Sequence, residues 1–271
     1  MGVAFIIIVI IALVYALLVM PRVTMRPDMS SILTDYAHRG LFDNSDGVPE
    51  NSLAAFKYAV MSNYGIELDL QFTADGEVVV FHDYSLKRMC GEDVKLSSLT
   101  LDELSKYRLA GTNYKIPTFK EVLKLVDGRV PLLIELKGES GDTSLCPAVA
   151  AMLDSYGGAY SVESFNPLLL RWFKKNRPDV VRGQLVTNLI KAKQGGNFFR
   201  NLALSGMLTN CLSRPDFIAV DEKHLRAFSV TLCTSLFGTK MFVWTVRKKE
   251  HFDINRENGD HSIFEGFDPA E

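Results

Sequence analysis

Hydrophobic and polar positions along this chain follow three different patterns, and each predicts a different kind of element. From Val3 to Met20 no residue is charged, and the 18 residues at ~1.5 Å rise cover roughly 27 Å, close to the hydrocarbon thickness of a bilayer. The stretch reads as a transmembrane helix rather than a cleaved signal peptide, because no Lys or Arg precedes it and no small-x-small site follows it. Arg22 and Arg26, set between Pro21 and Pro27, form the only basic flank. By the positive-inside tendency they keep the remainder of the chain in the cytoplasm. The expected organisation is an anchor over 1–21, a linker over 22–34 and a globular domain over 35–271 in a single-pass protein of the cell membrane.

The second pattern is alternation. Ile66-Glu67-Leu68-Asp69-Leu70 places both carboxylates on one strand face and the three apolar side chains on the other. Val78-Val79-Val80-Phe81-His82 is an apolar run that ends in an imidazole, and Asp35-Tyr36-Ala37-His38 ends the same way. Asp75-Gly76 between the first two runs is a strong turn signal, which makes those strands neighbours.

The third pattern is an alternation of strand-like and helix-like segments. Asn51 reads as the cap of a helix carrying Leu53, Phe56, Tyr58 and Val60, and Thr118 to Val126 as a helix stopped by Asp127-Gly128. A helix is expected near 144–156. Pro131 to Lys137 reads as a buried strand, with further strands near Tyr160–Ser164, Val180–Val186, Phe217–Val220, Met241–Thr245 and Ser262–Phe264. With the strands ending at His38, Asp69 and Leu136 this makes eight parallel strands, provided that Val78–His82 is an extra one. Residues 84–117 break the rhythm. They carry their own apolar set, including Leu86, Met89, Leu96 and Leu104, and a capping box at Thr100-Leu101-Asp102-Glu103. They are expected either to wall a binding site or to pack only on themselves.

Composition narrows the classes. With 271 residues, 47% of them hydrophobic, the chain can bury one large core. A net charge of −2 leaves no basic excess for nucleic acid. Cys90, Cys146, Cys211 and Cys233 show no metal-ligand spacing and read as reduced thiols.

The chemistry concentrates between Tyr36 and Asp83. Two like charges side by side are unfavourable unless a cation lies between them, and paired carboxylates are what a hard divalent metal takes. Glu135, near the end of a neighbouring strand, would complete an oxygen-rich site with Glu67 and Asp69. Lys137 shares the face of Glu135 and either pairs with it or offers its ammonium to a phosphate.

His38-Arg39-Gly40, Pro49-Glu50-Asn51, Glu67-x-Asp69, His82-Asp83, Glu135-x-Lys137 and Trp244-Thr245 stand in the order of one family's motifs. Over roughly residues 35–265 the chain resembles the glycerophosphodiester phosphodiesterases. The resemblance implies a (β/α)8 TIM-type barrel with a small insertion near its mouth, with His38 and His82 as catalytic acid and base. It also implies that Glu67, Asp69 and Glu135 hold one divalent cation, and all-carboxylate ligation favours Mg2+ or Ca2+. Arg39 and Lys137 would bind the phosphate, and Glu50 would orient His38 or Arg39 unless it is a solvated acid at the helix terminus. Phe165 and Trp244, near strand ends, either line the pocket or pack in the core.

The activity so implied is hydrolysis of a small glycerophosphodiester to glycerol 3-phosphate and an alcohol. A lysophospholipase D acting on lysophospholipids is the alternative within the enzyme class. A catalytically inactive, membrane-anchored binding module is the alternative outside it, and retention of both histidines and all three acids speaks against that one. Two features depart from the family pattern. The usual Asp-x-Pro ending of the last strand is replaced by Glu265-Gly266-Phe267-Asp268-Pro269, and too little chain follows for an eighth helix. Glu265 is expected either to enter the mouth or to stand on its rim, and residues 22–34 to cover the seam.

Overall fold

The computed structural model describes residues 2–138, 141–192 and 197–270. Among the described residues nine strands form one sheet: β1 (Tyr36–Ala37), β2 (Gly65–Phe72), β3 (Val78–Val80), β4 (Leu132–Leu136), β5 (Tyr160–Ser164), β6 (Arg182–Val186), β7 (Phe217–Asp221), β8 (Lys240–Val246) and β9 (His261–Phe264). Their order is β1-β9-β8-β7-β6-β5-β4-β2-β3, and β1 also pairs with β2, so the sheet closes on itself. All barrel pairings are parallel; β3 alone runs antiparallel, on the far part of β2. The architecture is the expected (β/α)8 barrel, with β3 as the extra strand after the Asp75-Gly76 turn.

Alternation along each strand decides what faces where. Ile66, Leu68 and Leu70 of β2 and Leu132, Ile134 and Leu136 of β4 pack outward with Phe56, Phe119, Val149 and Phe173 from the surrounding helices. The intervening side chains point into the barrel. At its lower end, where the strands begin, Tyr36, Leu133, Val181, Leu185, Phe217, Phe242 and Ile263 fill the interior with Ile32. Gly183 on β6 is required there, since a Cβ at that position would come within 2.0 Å of the Phe217 ring. The upper end, where the strands finish, is left to polar side chains, as in barrels of this type.

Two local expectations are corrected by the packing. Residues 29–33 do not cover the seam: Ile32 plugs the bottom of the barrel, with Met29 and Leu33 beside it. The outside of β9 is covered instead by the C-terminal tail, where Phe267 packs against Phe264 and Phe252 and Tyr64 Oη donates to Asp268 at 2.6 Å. The helix α2 (Leu53–Met61) is capped by Ser52, whose Oγ accepts from the Ala55 amide, and not by Asn51. Asn51 adopts a left-handed backbone (φ 53°) and is buried, so its amide side chain is free for another task.

The insertion has a core of its own: Leu86, Met89, Leu96, Leu104, Leu109 and Ile116 pack on Val79 and Phe81. The capping box at Thr100–Glu103 forms as expected. The apolar N-terminal stretch is a helix, α1 (Gly2–Val19). Its last turn packs beside the barrel, with Val19 buried against Ile218, Val220, Val230 and Cys233, while residues 2–14 are exposed.

Candidate active site

Parallel pairing in register brings the acids together. Asp69 of β2 lies opposite Glu135 of β4, and Glu135 lies opposite Glu163 of β5. One oxygen each of Glu67, Asp69 and Glu135 falls within 4.8 Å of the others, and all three residues are buried. This is the trio read from the sequence. Glu163, also buried, was missed there; the clue lay in Tyr160–Ser164, where Ser161 and Glu163 share the inward face and Val162 the outward one.

Electrostatics shows how little the protein alone can accommodate these charges. Burial, followed by repulsion from Asp69 and Glu163, pushes the Glu67 carboxyl well above its ordinary value. Burial and the Glu135 charge do the same to Glu163. Burial also raises Glu135, against the pull of Lys137. Asp69 goes the other way: burial opposes its ionisation, but Lys137, His82 and Arg39 together hold it well below the usual range.

Lys137 Nζ stands 2.8 Å from Glu135 Oε2 and 2.9 Å from Asp69 Oδ1, although no well-directed hydrogen bond reaches the latter. Both readings of Lys137 thus concern one spot, because its ammonium rests beside two of the three acids at the pocket wall. Asn51 Nδ2 donates to Asp69 Oδ2 at 2.8 Å, which is the task its unusual backbone serves. Arg39 (φ 58°) likewise turns its backbone amide to Glu67 Oε2 at 2.9 Å. The sharp turn needs Gly40 behind it, where a Cβ would strike Ala55 at 2.8 Å.

The two histidines flank the acids. His38 follows β1, with Nε2 3.9 Å from Glu67 Oε2 and Nδ1 hydrogen-bonded to Glu265. Glu265 therefore enters the mouth, and its second oxygen accepts from Arg247 Nε at 2.6 Å. Burial lowers the His38 imidazole pKa more than Glu265 raises it. His82 follows β3 and its Nδ1 lies 2.5 Å from Asp83 Oδ1. In each pair a carboxylate holds one ring nitrogen, which directs the other nitrogen away from it.

Glu50 orients Arg39 rather than His38. Its Oε1 accepts from Arg39 Nη1 at 2.7 Å, and Arg88 of the insertion donates to both of its oxygens at 2.7 and 2.8 Å. Arg88 also grips Asp83, at 2.6 and 3.0 Å. The insertion is therefore tied to both histidine neighbourhoods, and Tyr84 at its start lines the pocket.

That pocket is a cavity of about 920 Å3 bounded by His82, Glu135, Lys137, Phe165, Leu189 and Arg200 among others. Phe165 meets Trp244 edge to face at 5.6 Å, and Trp244 Nε1 donates to the Ala219 carbonyl at 2.9 Å. Phe165 reaches the cavity, while Trp244 buttresses it and packs on the inner core. His224 and His251 stand elsewhere, bonded to the Ser205 carbonyl and to Glu222.

The chain is a parallel barrel with buried acids and two carboxylate-held histidines at its mouth, and known proteins place it in a class of hydrolytic enzymes. The sequence profile of the glycerophosphoryl diester phosphodiesterase family matches residues 38–265, and the chain belongs to that family of phosphoric diester hydrolases. A glycerophosphodiester phosphodiesterase of Caldanaerobacter subterraneus is 31% identical over 80% of this chain and 87% of its own length. A lysophospholipase D of Rattus norvegicus is 27% identical over 75% of this chain and 74% of its own. Among solved structures, the Thermotoga maritima glycerophosphodiester phosphodiesterase superposes with a TM-score of 0.65 at 27% identity, covering 85% of this chain and 94% of that one. An Oleispira antarctica phosphodiesterase, solved with its product sn-glycerol-3-phosphate, shares the fold with a TM-score of 0.69 at 23% identity, over 86% and 92% of the two chains.

Proposed function

We propose that this protein hydrolyses glycerophosphodiesters to glycerol 3-phosphate and an alcohol, with His38 and His82 as the acid and base pair and a divalent cation held by Glu67, Asp69 and Glu135. The observation that carries the reading is the convergence of three buried carboxylates within 4.8 Å between two histidines at the barrel mouth. The donor set fits such an ion: Glu67 is driven towards protonation by burial and its neighbours, and a cation among the three would reverse that. All-oxygen donors suit Mg2+ or Ca2+. When bound, the ion supplies positive charge to the phosphoryl oxygens, lowering the repulsion that a phosphodiester anion presents to a nucleophile.

The side chains supply the remaining steps. Arg39, held by Glu50, and Lys137 direct hydrogen bonds at the other phosphoryl oxygens. One imidazole takes the proton of the glycerol 2-hydroxyl, whose oxygen attacks phosphorus as the P–O bond to the alcohol breaks. The other imidazole gives its proton to that departing oxygen. Water then opens the cyclic phosphodiester with the two roles exchanged. Glu265 and Asp83 hold the rings in place for both halves of the cycle. The apolar helix α1 anchors the protein in the membrane, with the barrel on the cytoplasmic side of Arg22 and Arg26.

The test is an assay of the full chain in detergent micelles on glycerophosphocholine, glycerophosphoethanolamine and lysophosphatidylcholine, with and without chelator. Glycerol 3-phosphate from the two deacylated substrates, or the acylglycerol phosphate from lysophosphatidylcholine, should appear in step with the released alcohol, stop with chelator and return with Mg2+ or Ca2+. Hydrolysis unaffected by exhaustive chelation would remove the cation from the account.

A further inference from the structure

Exposed apolar side chains follow two neighbouring strands at the mouth. The helix Phe198–Ser205 follows β6 and turns Arg200, Ala203 and Leu204 to the cavity. Its other face presents Phe198, Phe199 and Leu202, which are 58%, 75% and 46% exposed. Phe228, 70% exposed, opens the short helix that follows β7. Such exposed apolar side chains call for a covering surface.

The direction of α1 identifies that surface. Residues 22–26 bond to the carbonyls of Pro178, Pro215, Phe237 and Gly238, all in loops that precede β6, β7 and β8, so the end of α1 lies at the bottom of the barrel. Going backwards along the helix, Val19 packs on the outside of β7, and Tyr15 stacks on Phe228, which comes after β7. The exposed residues 2–14 therefore project past the mouth, and any membrane that α1 enters faces the active site.

Length argues the same way. Residues 2–14 give roughly 20 Å of free helix, about 10 Å short of a ~30 Å hydrocarbon core. An aromatic rim sunk ~5–10 Å into the interface would make up the difference. Lys191, Arg200, Lys223 and Arg226 are exposed around the aromatics, where anionic headgroups would meet them. Of the nearby acids, Asp221 accepts from Thr187 and Glu222 is paired with His251.

We propose that Phe198, Phe199, Leu202 and Phe228, continuous with α1, seat the catalytic mouth on the phospholipid bilayer, and that the substrate enters from it. Resting on the proposed hydrolytic mechanism, this seating favours the lysophospholipid alternative already stated, with the lipid acylated at position 1 only. Such a lipid retains the free 2-hydroxyl that must attack phosphorus, and a diacyl lipid does not. The P–O bond to the headgroup breaks, the headgroup alcohol takes the proton, and water completes hydrolysis to the acylglycerol phosphate.

The experiment uses the full chain in phosphatidylcholine and phosphatidylglycerol vesicles, with Cys90 and Cys211 changed to Ser. A nitrobenzoxadiazole label is placed at Phe199→Cys, at Phe228→Cys, or at Lys175→Cys on the opposite end of the barrel. Spin-labelled lipids should quench the first two at least twofold more than the third; equal quenching overturns the seating. The triple variant F198S/F199S/L202S should turn over vesicle-borne lysophosphatidylcholine about 10-fold more slowly and soluble glycerophosphocholine within twofold of wild type. Equal slowing of both, or wild-type hydrolysis of diacyl phosphatidylcholine as fast as of the lysolipid, overturns the substrate assignment. Selective quenching in a protein that hydrolyses nothing would support the seating and defeat only the hydrolase reading.

Discussion

His38 and Glu265 lie 227 positions apart in the chain, yet Nδ1 of one is hydrogen-bonded to Oε2 of the other across the closing seam of the barrel. The His38 amide bonds the Phe264 carbonyl at 2.8 Å in the same seam. Closure of the barrel and orientation of a proposed catalytic imidazole are thus one structural event.

Glu265→Gln should therefore act on turnover more than on substrate affinity. As a positioning residue acting through His38, its loss is expected to lower kcat roughly 10- to 100-fold, with KM changed little and Glu265→Asp recovering part of the loss. Stability carries a second signature. Burial opposes ionisation of Glu265, but the bond to His38 and the charges of His38 and Arg247 bring its carboxyl from 4.5 down to about 2. A depressed acid stabilises the fold above its unfolded value and loses that contribution as pH falls through the folded one. The difference in Tm between wild type and Glu265→Gln should be full above about pH 4.5 and vanish near pH 2. A constant difference across that window would contradict an ionised Glu265.

The acid cluster makes a prediction that does not depend on activity. A cation among Glu67, Asp69 and Glu135 binds the folded chain and relieves their repulsion, so saturating Mg2+ or Ca2+ should raise Tm. At 100 times Kd the gain is about 2.7 kcal/mol. Glu67→Gln removes one donor and should abolish most of the shift. An equal shift in wild type and Glu67→Gln would place the ion elsewhere.

Glu50 joins Arg39 to the insertion, and its removal should be felt in both places. Glu50→Ala leaves the mostly buried Arg39 guanidinium with only the 3.6 Å approach of its Nε to Asp69 Oδ2, at a cost of about 3 kcal/mol, the low end for breaking a buried pair, since Asp69 remains and Arg88 is half-exposed and can turn to water. Denaturant unfolding measures that loss. KM should rise more than kcat falls, because Arg39 is proposed to bind the phosphate. Unchanged stability and KM would show that Arg39 and Arg88 are held by other contacts.

Much of this arrangement could be read from the sequence, for a physical reason. Ile66–Leu70 alternates so strictly that the facing of Glu67 and Asp69 follows from strand geometry alone, and the Asp75-Gly76 turn fixes the place of β3. Partners that meet across the barrel could not be read in this way. Glu265 reaches His38 only because β9 pairs with β1, and Glu163 joins the acids only through the register of β5 on β4. Asn51 resembled a cap because its type and position suit one, and only its left-handed backbone reveals that it serves Asp69 instead. Arg88 gave no signal at all: it sits among ordinary charged residues of the insertion, and its two carboxylate partners lie 5 and 38 positions away.

The proposed orientation in the membrane rests on Arg22 and Arg26. In intact cells the barrel should resist external protease, and the chain should retain its first twenty residues. Digestion from outside would reverse the orientation, and a mature chain beginning after Met20 would remove the anchor.

The central claim is that His38 and His82 divide the acid and base work beside the carboxylates, and leaving-group dependence tests it most directly. On glycerophosphocholine, His38→Ala and His82→Ala should each lower turnover by roughly 10²- to 10⁴-fold. The double variant should lose much less than the product of the two. A nitrophenyl ester of glycerol 3-phosphate needs no proton on its leaving group. One of the two variants should therefore approach wild-type rate on it, while the other, lacking the base, stays slow. Equal and full loss in both variants on the nitrophenyl ester, together with loss of the cation-induced rise in Tm, would contradict the account and make the histidines structural or ligating.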